Sequence, residues 1–488
     1  MITVHTPDWV KHAVFYQIFP DRFATSERVG KPSNLEPWNS PPTQQGYKGG
    51  DLLGVVEHLD HIQNLGATAI YFTPIFQSAS NHRYHTHDYY QVDPLLGGNG
   101  ALRELIDACH ARGIRVVLDG VFNHASRGFF PFNDILENGP HSPWIDWFTI
   151  EDWPLSPYDG SKPANYVSWV NNRALPRLKT ENPEVREFIM QVAEYWLAFG
   201  IDGWRLDVPF EITAPGFWAE FRQRVKAANP DAYIVGEIWG NASAWLQGDQ
   251  FDAVMNYLFA GATIAYTGNQ RVRPELVEGR DYTAATPLNA MSYASTVEWF
   301  HRIYPWEIQL AQLNLLNSHD TARLISIVGG DKATVHLATL LLMTFPGAPS
   351  IYYGDEIGLE GGIDPDSRRS FPWDQPEVWD QQVLAYHQQL IAIRHAHPAL
   401  RTGSFHRLYA DLDVYAFVRI LGDEKILVVV NTAEEPRTAV APVSNLFSSD
   451  RPLTLIYGSD RAWIDDMGLL QIKIGARAGA IFGETHTE

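Results

Sequence analysis

Three carboxylic acids follow short apolar runs that have the pattern of buried β-strands. Asp207 lies in GWRLDVP, Glu237 in VGEIW and Asp320 in LNSHD. A pair of carboxyl groups can cleave a glycosidic bond, because one protonates the leaving oxygen while the other attacks the sugar or activates water. Crowded carboxyl groups also acquire unlike pKa values, which lets an acid and a nucleophile coexist at neutral pH. These residues therefore predict glycoside hydrolysis.

The stretch GWRLDVP also places a charged pair among apolar residues. Arg205 and Asp207 alternate with apolar neighbours, so both side chains point to one face of the predicted strand. Burial of such charges is costly unless they are paired or used in chemistry. We expect Arg205 to lower the pKa of Asp207 and to keep this carboxylate ionised.

Further polar and aromatic side chains fall near the same strand ends. The segment LDGVFNH supplies Asp119, Asn123 and His124, and LNSHD supplies His319. Tyr84 and Trp239 lie beside the predicted site. Their rings suit a sugar substrate, because an aromatic face can cover the apolar C–H side of a pyranose.

The elements that must position these residues alternate between strands and helices over about the first 400 residues. This alternation is typical of parallel strands joined by crossover helices, and eight strands predict a closed (β/α)8 TIM barrel, an α/β fold. Carboxyl ends of barrel strands share one rim, so the three carboxylic acids are expected to converge. Strands are predicted at 13–18, 67–73, 114–119, 202–207, 232–237, 251–255, 312–317 and 349–353, and helices at 101–112, 184–199 and 333–344.

Two departures from the alternation divide the chain. Residues 125–180 are rich in Pro, Gly, Asn and Trp without a helical period, which predicts an inserted B subdomain after the third strand. Beyond residue 402, β-rich runs predict a C-terminal antiparallel β-sandwich over 402–488. The barrel then comprises 1–124 and 181–401. About half of four tryptophans in the insertion are expected to fill its core: Trp144, Trp147, Trp153 and Trp169.

Composition narrows the class of partner. The 488 residues carry a formal net charge of -20, which argues against nucleic acid, since binding that polyanion needs clustered Lys and Arg. No stretch approaches the ~20 apolar residues that span a bilayer, and the N-terminus lacks the pattern of a signal peptide. The single cysteine, Cys109, allows no intrachain disulfide and agrees with a reducing compartment. We therefore expect a cytoplasmic protein with a neutral substrate and no membrane partner.

Four ordered motifs resemble the signature regions of the α-amylase family of glycoside hydrolases. They are DGVFNH at 119–124, GWRLDVP at 203–209, GEIW at 236–239 and NSHD at 317–320. Within that family, the wording is closest to the neopullulanase, cyclomaltodextrinase and maltogenic amylase group. Segments similar to that group include WVKHAVFYQIFPDRF, YKGGDLLGV, SNHRYHTHDYYQVDP and SIYYGDEIGLEGGIDPDSRRSFPWD.

The resemblance implies roles for individual residues. Asp207 matches the family nucleophile, Glu237 the general acid/base and Asp320 the third carboxylate, which binds sugar hydroxyls and helps to distort the ring. Arg205 matches the arginine that pairs with the nucleophile. Glu211 matches a glutamate that influences transfer to acceptor sugars. Matches to other substrate-binding positions are Tyr84, Asn123, His124, Trp239, His319, Asp364 and Arg368.

The implied reaction is retaining cleavage of α-1,4-glucosidic bonds in cyclodextrins, maltooligosaccharides, starch or pullulan, with some transglycosylation. Alternatives on the same fold are an oligo-1,6-glucosidase or α-glucosidase, a glucanotransferase and a trehalose-forming isomerase. A non-catalytic carbohydrate-binding barrel is a further alternative, although decay normally loses carboxylates and all three are present here.

The sequence departs from the group at several places. The group usually has a starch-binding-like domain before the barrel that helps to form its dimer, whereas this barrel begins by about residue 13, so the oligomeric state stays open. Residues 24–34 lack most of the Asn and Asp ligands of a calcium site; we expect no metal or cofactor there and leave open a calcium site near Asn123. The segment PFE stands at 209–211 where the group has ANE, and His85 stands for an aspartate.

Overall fold

A closed barrel of eight parallel strands forms the core of the computed structural model, which describes residues 4–278, 284–443, 446–447 and 453–484. The predicted TIM barrel is therefore confirmed. The first ten strands are β1 (Phe15–Ile18), β2 (Ala69–Phe72), β3 (Phe76–Ser78), β4 (Thr86–Val92), β5 (Arg115–Gly120), β6 (Gly203–Leu206), β7 (Tyr233–Gly236), β8 (Ala253–Asn256), β9 (Leu313–Asn314) and β10 (Ala348–Tyr352). Eight of these strands form the barrel, in the order β1, β10, β9, β8, β7, β6, β5, β2, and β3 and β4 form a separate two-stranded sheet.

Helices cover the outside of the barrel, so both faces of each barrel strand are buried. Burial on both faces explains why these strands are short β-branched runs in the sequence. No helix within the described ranges has both the length and the apolar character to cross a bilayer. The helices are α1 (Asp8–His12), α2 (Pro20–Phe23), α3 (Leu52–Glu57), α4 (Leu59–Leu65), α5 (Gly98–Ala111), α6 (Phe130–Asn138), α7 (Pro183–Phe199), α8 (Phe217–Ala228), α9 (Tyr257–Gly268), α10 (Ala290–Ile303), α11 (Trp306–Ala311), α12 (Leu324–Ile327), α13 (Lys332–Thr344), α14 (Gln381–Ala396) and α15 (Pro398–Thr402).

The hairpin of β3 and β4 lies between β2 and α5, where the sequence analysis placed no strand. Its register is irregular, with shifts at Phe76 and Gln77. Such short, interrupted pairing lacks a clean alternation of apolar and polar residues, so period alone does not reveal it. The hairpin matters for function because its connecting loop carries Tyr84.

The insertion at 125–180 is mostly irregular but contains α6, which the sequence analysis did not predict. Pro131 near the start of this helix suits a first helical turn and also obscures the helical pattern. Isolated bridges tie the insertion back to the barrel, including His124 to Arg177. Trp147 is buried, whereas Trp144, Trp153 and Trp169 are only partly buried.

The C-terminal part forms a five-stranded and a three-stranded antiparallel sheet, which confirms the predicted β-sandwich. Its apolar core includes Val418, Leu427 and Ile472. Buried Arg419 donates to the carbonyl oxygens of Thr344 and Leu400 and so joins this domain to the barrel helices. The strands are β11 (Ser404–Ala410), β12 (Val414–Leu421), β13 (Glu424–Asn431), β14 (Arg437–Pro442), β15 (Leu453–Tyr457), β16 (Arg461–Ile464), β17 (Leu469–Ile474) and β18 (Ala478–Glu484).

Candidate active site

Arg205 contacts three carboxyl groups at the carboxyl end of the barrel. Its side chain is fully buried, and its Nη1 atom donates to Asp119 Oδ2 at 3.0 Å and to Asp207 Oδ1 at 3.1 Å. Its Nη2 atom lies 3.1 Å from Glu237 Oε2. Strand register produces this convergence, because β5, β6 and β7 are neighbours and Asp119 lies directly opposite Arg205.

The pKa of Asp207 is raised well above its usual range. Burial is the main cause, and the nearby Glu237 carboxyl raises the pKa further, while Arg205 opposes both. Arg205 thus lowers the pKa of Asp207 as expected, but burial and Glu237 outweigh it, so the net shift is upward. One guanidinium is shared among three carboxyl groups, so Asp207 receives only part of its stabilisation.

Glu237 is held at both carboxyl oxygens. The indole Nε1 of Trp239 donates to Oε1 at 3.0 Å, and the backbone N–H of Val208 donates to Oε2 at 3.1 Å. Burial raises the pKa of Glu237 in spite of Arg205, and nearby Asp320 raises it further. A carboxyl group with a raised pKa keeps its proton toward neutral pH, which is what a general acid requires.

Asp320, His319, Arg368 and Asp364 form one network on the opposite wall. Asp320 Oδ2 lies 3.1 Å from His319 Nε2, and its Oδ1 lies 3.4 Å from Arg368 Nη2. Arg368 continues to Asp364 at 2.9 Å and donates from Nε to the carbonyl oxygen of His319 at 2.9 Å. The side chain of Asp320 is 26% exposed, against 8% for Asp207, so Asp320 lies on the more open side of the site.

Tyr84 links the two walls. Its hydroxyl donates to Asp119 Oδ2 at 2.9 Å and lies 2.7 Å from His319 Nε2, so its oxygen accepts the hydrogen bond from that nitrogen. Burial lowers the pKa of His319 well below its usual range, so the ring is neutral and its other nitrogen, Nδ1, accepts from Gln17 Nε2 at 2.8 Å. This fixed tautomer orients the Tyr84 ring, which lies within 9° of parallel to His319.

Asn123 and His124 are buried at the junction of barrel and insertion. Their side chains meet at 3.3 Å, and the His124 ring stacks on Trp169 with centroids 5.0 Å apart. Burial lowers the pKa of His124 to about 3, so the ring is neutral. Within the described part of the chain, Asn123 Oδ1 and His124 Nε2 are buried and have no hydrogen-bond partner.

Comparison with known proteins identifies the family of this barrel. A family model described as the α-amylase catalytic domain matches residues 17–378. The chain belongs to the α-amylase family of glycoside hydrolases. It is 45% identical to a cyclomaltodextrinase from a Bacillus species, over 88% of this chain and 75% of that protein. It is 44% identical to neopullulanase 2 of Thermoactinomyces vulgaris, over 90% and 72%. A crystal structure of a debranching enzyme from Nostoc punctiforme is 62% identical, with a TM-score of 0.92 over 99% of this chain and 100% of that one.

Two of the predicted family positions lie at the edge of the site. The Glu211 side chain is 34% exposed and lies 3.7 Å from Arg177 of the insertion. The Trp239 ring stacks on Tyr257, with centroids 3.7 Å apart and planes within 2°. Contacts link most of the predicted residues in one network, whereas Glu211 lies on the loop after β6 and Asn123 and His124 lie at the junction with the insertion. The linked residues are Tyr84, Arg205, Asp207, Glu237, Trp239, His319, Asp320, Asp364 and Arg368.

Some members of this α-amylase site were missed by the sequence analysis. Asp119 was placed at the rim without a role, although its pKa is raised to about 6 by burial and it binds Arg205 and Tyr84. Gln17 is a polar residue in the wholly buried strand β1, and this contrast was a usable signal. Tyr257 begins a helix after β8 and gave no local signal.

The calcium expected in part of this family has poor partners in the segment 24–34. The nearby carboxyl group of Asp51 is fully buried, and Lys31 Nζ lies 2.7 Å from it. The Lys31 ammonium also donates to the carbonyl oxygen of Leu95 at 3.1 Å. Backbone N–H groups of Ser26 and Gly54 occupy the two Asp51 oxygens as well. An internal cation therefore compensates the buried charge, and these residues do not fit a calcium ion.

Proposed function

We propose that this α-amylase family member cleaves α-glucosidic bonds of cyclodextrins and short maltooligosaccharides with retention of anomeric configuration. The contact of Asp207 and Glu237 with a single guanidinium carries this proposal. It keeps the two carboxyl groups close, and retaining enzymes need them only about 5–5.5 Å apart.

In the first step Glu237 protonates the glycosidic oxygen while Asp207 attacks the anomeric carbon and forms a glycosyl-enzyme. The pair shares one proton, because repulsion opposes double ionisation and Arg205 opposes double protonation. Asp320, Arg368 and the neutral His319 supply acceptors and donors for sugar hydroxyls.

In the second step Glu237 takes a proton from water, which attacks the anomeric carbon and releases the sugar from Asp207. If the hydroxyl of an acceptor sugar replaces water, the product is a longer oligosaccharide. Glu211 stands on the loop after the nucleophile, where it can contact such an acceptor.

Proton NMR during hydrolysis of maltotriose tests this mechanism. We expect the α-anomer to appear first, and the Asp207→Asn and Glu237→Gln variants to lose at least about 10³-fold in kcat. First appearance of the β-anomer would overturn the retaining mechanism. Normal turnover by Asp207→Asn would mean that the catalytic site lies elsewhere, whereas no turnover by the wild type would favour the non-catalytic interpretation of this barrel.

A second candidate is cleavage of α-1,6 bonds at branch points. It is favoured by the 62% identity to a protein named as a debranching enzyme. Pullulan, panose and β-cyclodextrin distinguish the candidates. Panose released from pullulan indicates α-1,4 cleavage, whereas maltotriose indicates α-1,6 cleavage. Trehalose or larger cyclic products from maltotriose would point instead to an isomerase or a glucanotransferase.

We also propose that the enzyme needs no calcium and works in the cytoplasm. The Lys31 ammonium beside Asp51 supports the first point, and the lone thiol of Cys109, which is buried, supports the second. Activity that survives dialysis against EDTA is expected. Loss of activity that calcium restores would overturn the first point.

A further inference from the structure

The residue that follows the nucleophile has an unusual backbone. Val208 has φ 35° and ψ 51°, in the left-handed region. This region is rarely adopted by a β-branched residue, and the following Pro209 further disfavours it, since a residue before proline is pushed to extended conformations. Backbone conformations of this kind cost about 1–3 kcal/mol and persist only where surrounding contacts enforce them.

The contacts that enforce this conformation lie on both sides of Val208. On one side, the Asp207 N–H donates to Gly120 O at 3.1 Å in continuation of the β5–β6 pairing. On the other side, Trp218 Nε1 donates to Pro209 O at 3.0 Å. The chain must bend sharply between these fixed points, and Val208 absorbs the bend.

The bend has a chemical consequence at Glu237. It turns the Val208 N–H toward Glu237 Oε2, at 3.1 Å, and Arg205 Nη2 lies 3.1 Å from the same oxygen. With a backbone donor and a cation at Oε2, the proton of the acid form belongs on Oε1. The single remaining contact of Oε1 in the described chain is the Trp239 indole at 3.0 Å.

We propose that Val208 is a positioning residue whose left-handed backbone selects Oε1 as the proton-carrying oxygen of Glu237 and fixes that carboxyl relative to Asp207. This proposal rests on the proposed acid/base role of Glu237. The N–H bond favours the ionised carboxyl and therefore lowers the pKa of Glu237. It thus sets the upper pH limit of activity, because Glu237 must be protonated in the first step.

Replacement of one amide by an ester tests the hydrogen bond without changing a side chain. Cell-free translation with the α-hydroxy analogue of valine at position 208 removes this N–H alone. The pKa of Glu237 then rises, so the basic limb of kcat/KM against pH should move up by about one pH unit. The matched control is an ester at Ile212, whose N–H donates to Pro209 O at 3.2 Å in the same loop; its limb should not move.

Side-chain variants separate the backbone from packing. Val208→Ala keeps a Cβ and the cost of the left-handed region, whereas Val208→Gly removes both. Both variants keep the N–H, and glycine adopts the left-handed region without cost, so the basic limb of kcat/KM against pH should stay in place in both. A basic limb that moves in either variant would mean that the side-chain volume of Val208 sets the pKa of Glu237 and would overturn the proposal.

The Glu237→Gln variant distinguishes the two levels of failure. If that variant keeps full activity, the proposed role of Glu237 fails, and the proposal for Val208 fails with it. If that variant is inactive but the ester at 208 leaves the basic limb unchanged, the proposal for Val208 alone is wrong.

Discussion

At the scale of single residues, the charge balance of the site depends on one arginine that three carboxyl groups share. Arg205 serves Asp119, Asp207 and Glu237, and burial raises the pKa of each of these carboxyl groups. Removal of one carboxylate should therefore change the pKa values of the other two. Asp119 is the most informative of them, because it binds Arg205 and Tyr84 but has no role in the proposed reaction steps.

We expect Asp119→Asn to move the acid limb of kcat/KM to lower pH. The Asp119 charge raises the pKa of Asp207, so its loss lets Asp207 ionise at lower pH, by about one pH unit. The maximal kcat should fall about tenfold, since Arg205 and Tyr84 lose a shared acceptor. A pH-rate profile measures both effects.

Asp252→Asn is the matched control for that experiment. Asp252 is also a fully buried carboxyl group, but it binds Arg222 and Lys226 at the opposite end of the barrel strands. Its loss should lower the free energy of unfolding without moving the acid or the basic limb of kcat/KM against pH. An acid limb that Asp119→Asn leaves in place would contradict the coupling of these charges.

At the scale of elements, loops carry the side chains and internal contacts hold the loops. The hairpin of β3 and β4 presents Tyr84, and the loop after β6 presents Glu211. The first of the barrel loops is secured by the pair of Lys31 and Asp51, in which the carboxylate is fully buried and the lysine side chain is 17% exposed.

We expect Lys31→Met to lower the free energy of unfolding by about 3 kcal/mol, because it leaves a buried carboxylate without a cation. Urea denaturation measures the change. Lys332→Met is the control, since the Lys332 side chain is 53% exposed and its partner Asp380 is partly exposed, at 18%; that loss should cost at most about 1 kcal/mol. Similar losses in the two variants would argue against a special role for Lys31.

At the scale of the whole molecule, buried Arg419 joins the C-terminal sandwich to the barrel, and buried Arg394 ties barrel segments together beside it. Among the described residues, neither guanidinium has a carboxylate partner. Arg394 donates to the carbonyl oxygens of Phe345 and Gly347, and Arg419 donates to those of Thr344 and Gly403. Burial lowers the pKa of Arg394 to about 9. Carbonyl groups from several segments thus depend on each guanidinium.

We expect Arg419→Met to destabilise the protein by about 3 kcal/mol, because buried carbonyl oxygens lose charge-assisted donors. Differential scanning calorimetry should show a lower Tm, and the domains should unfold separately. Arg461→Met, at an exposed position of the three-stranded sheet, is the control and should leave Tm nearly unchanged. An unchanged Tm in Arg419→Met would contradict the role of Arg419 in joining the two domains.

Local periodicity was sufficient to predict the barrel strands, the helices α5, α7 and α13, and the C-terminal sandwich. It also placed Asp207, Glu237 and Asp320 at one rim, since parallel strands in a barrel share an orientation. It failed for β3, β4 and α6. These short elements are held by neighbouring segments and by a proline-led turn rather than by their own pattern of apolar residues.

The sequence by itself determined the fold class, the family resemblance and the residues that gather at the active site. Only the tertiary structure decided how charge is distributed there: that Asp119 shares Arg205, that the pKa of Asp207 is raised, and that Val208 donates to Glu237. The reason is physical. Strand patterns depend on neighbours along the chain, whereas pKa values depend on burial and on distances of about 3 Å between residues remote in sequence.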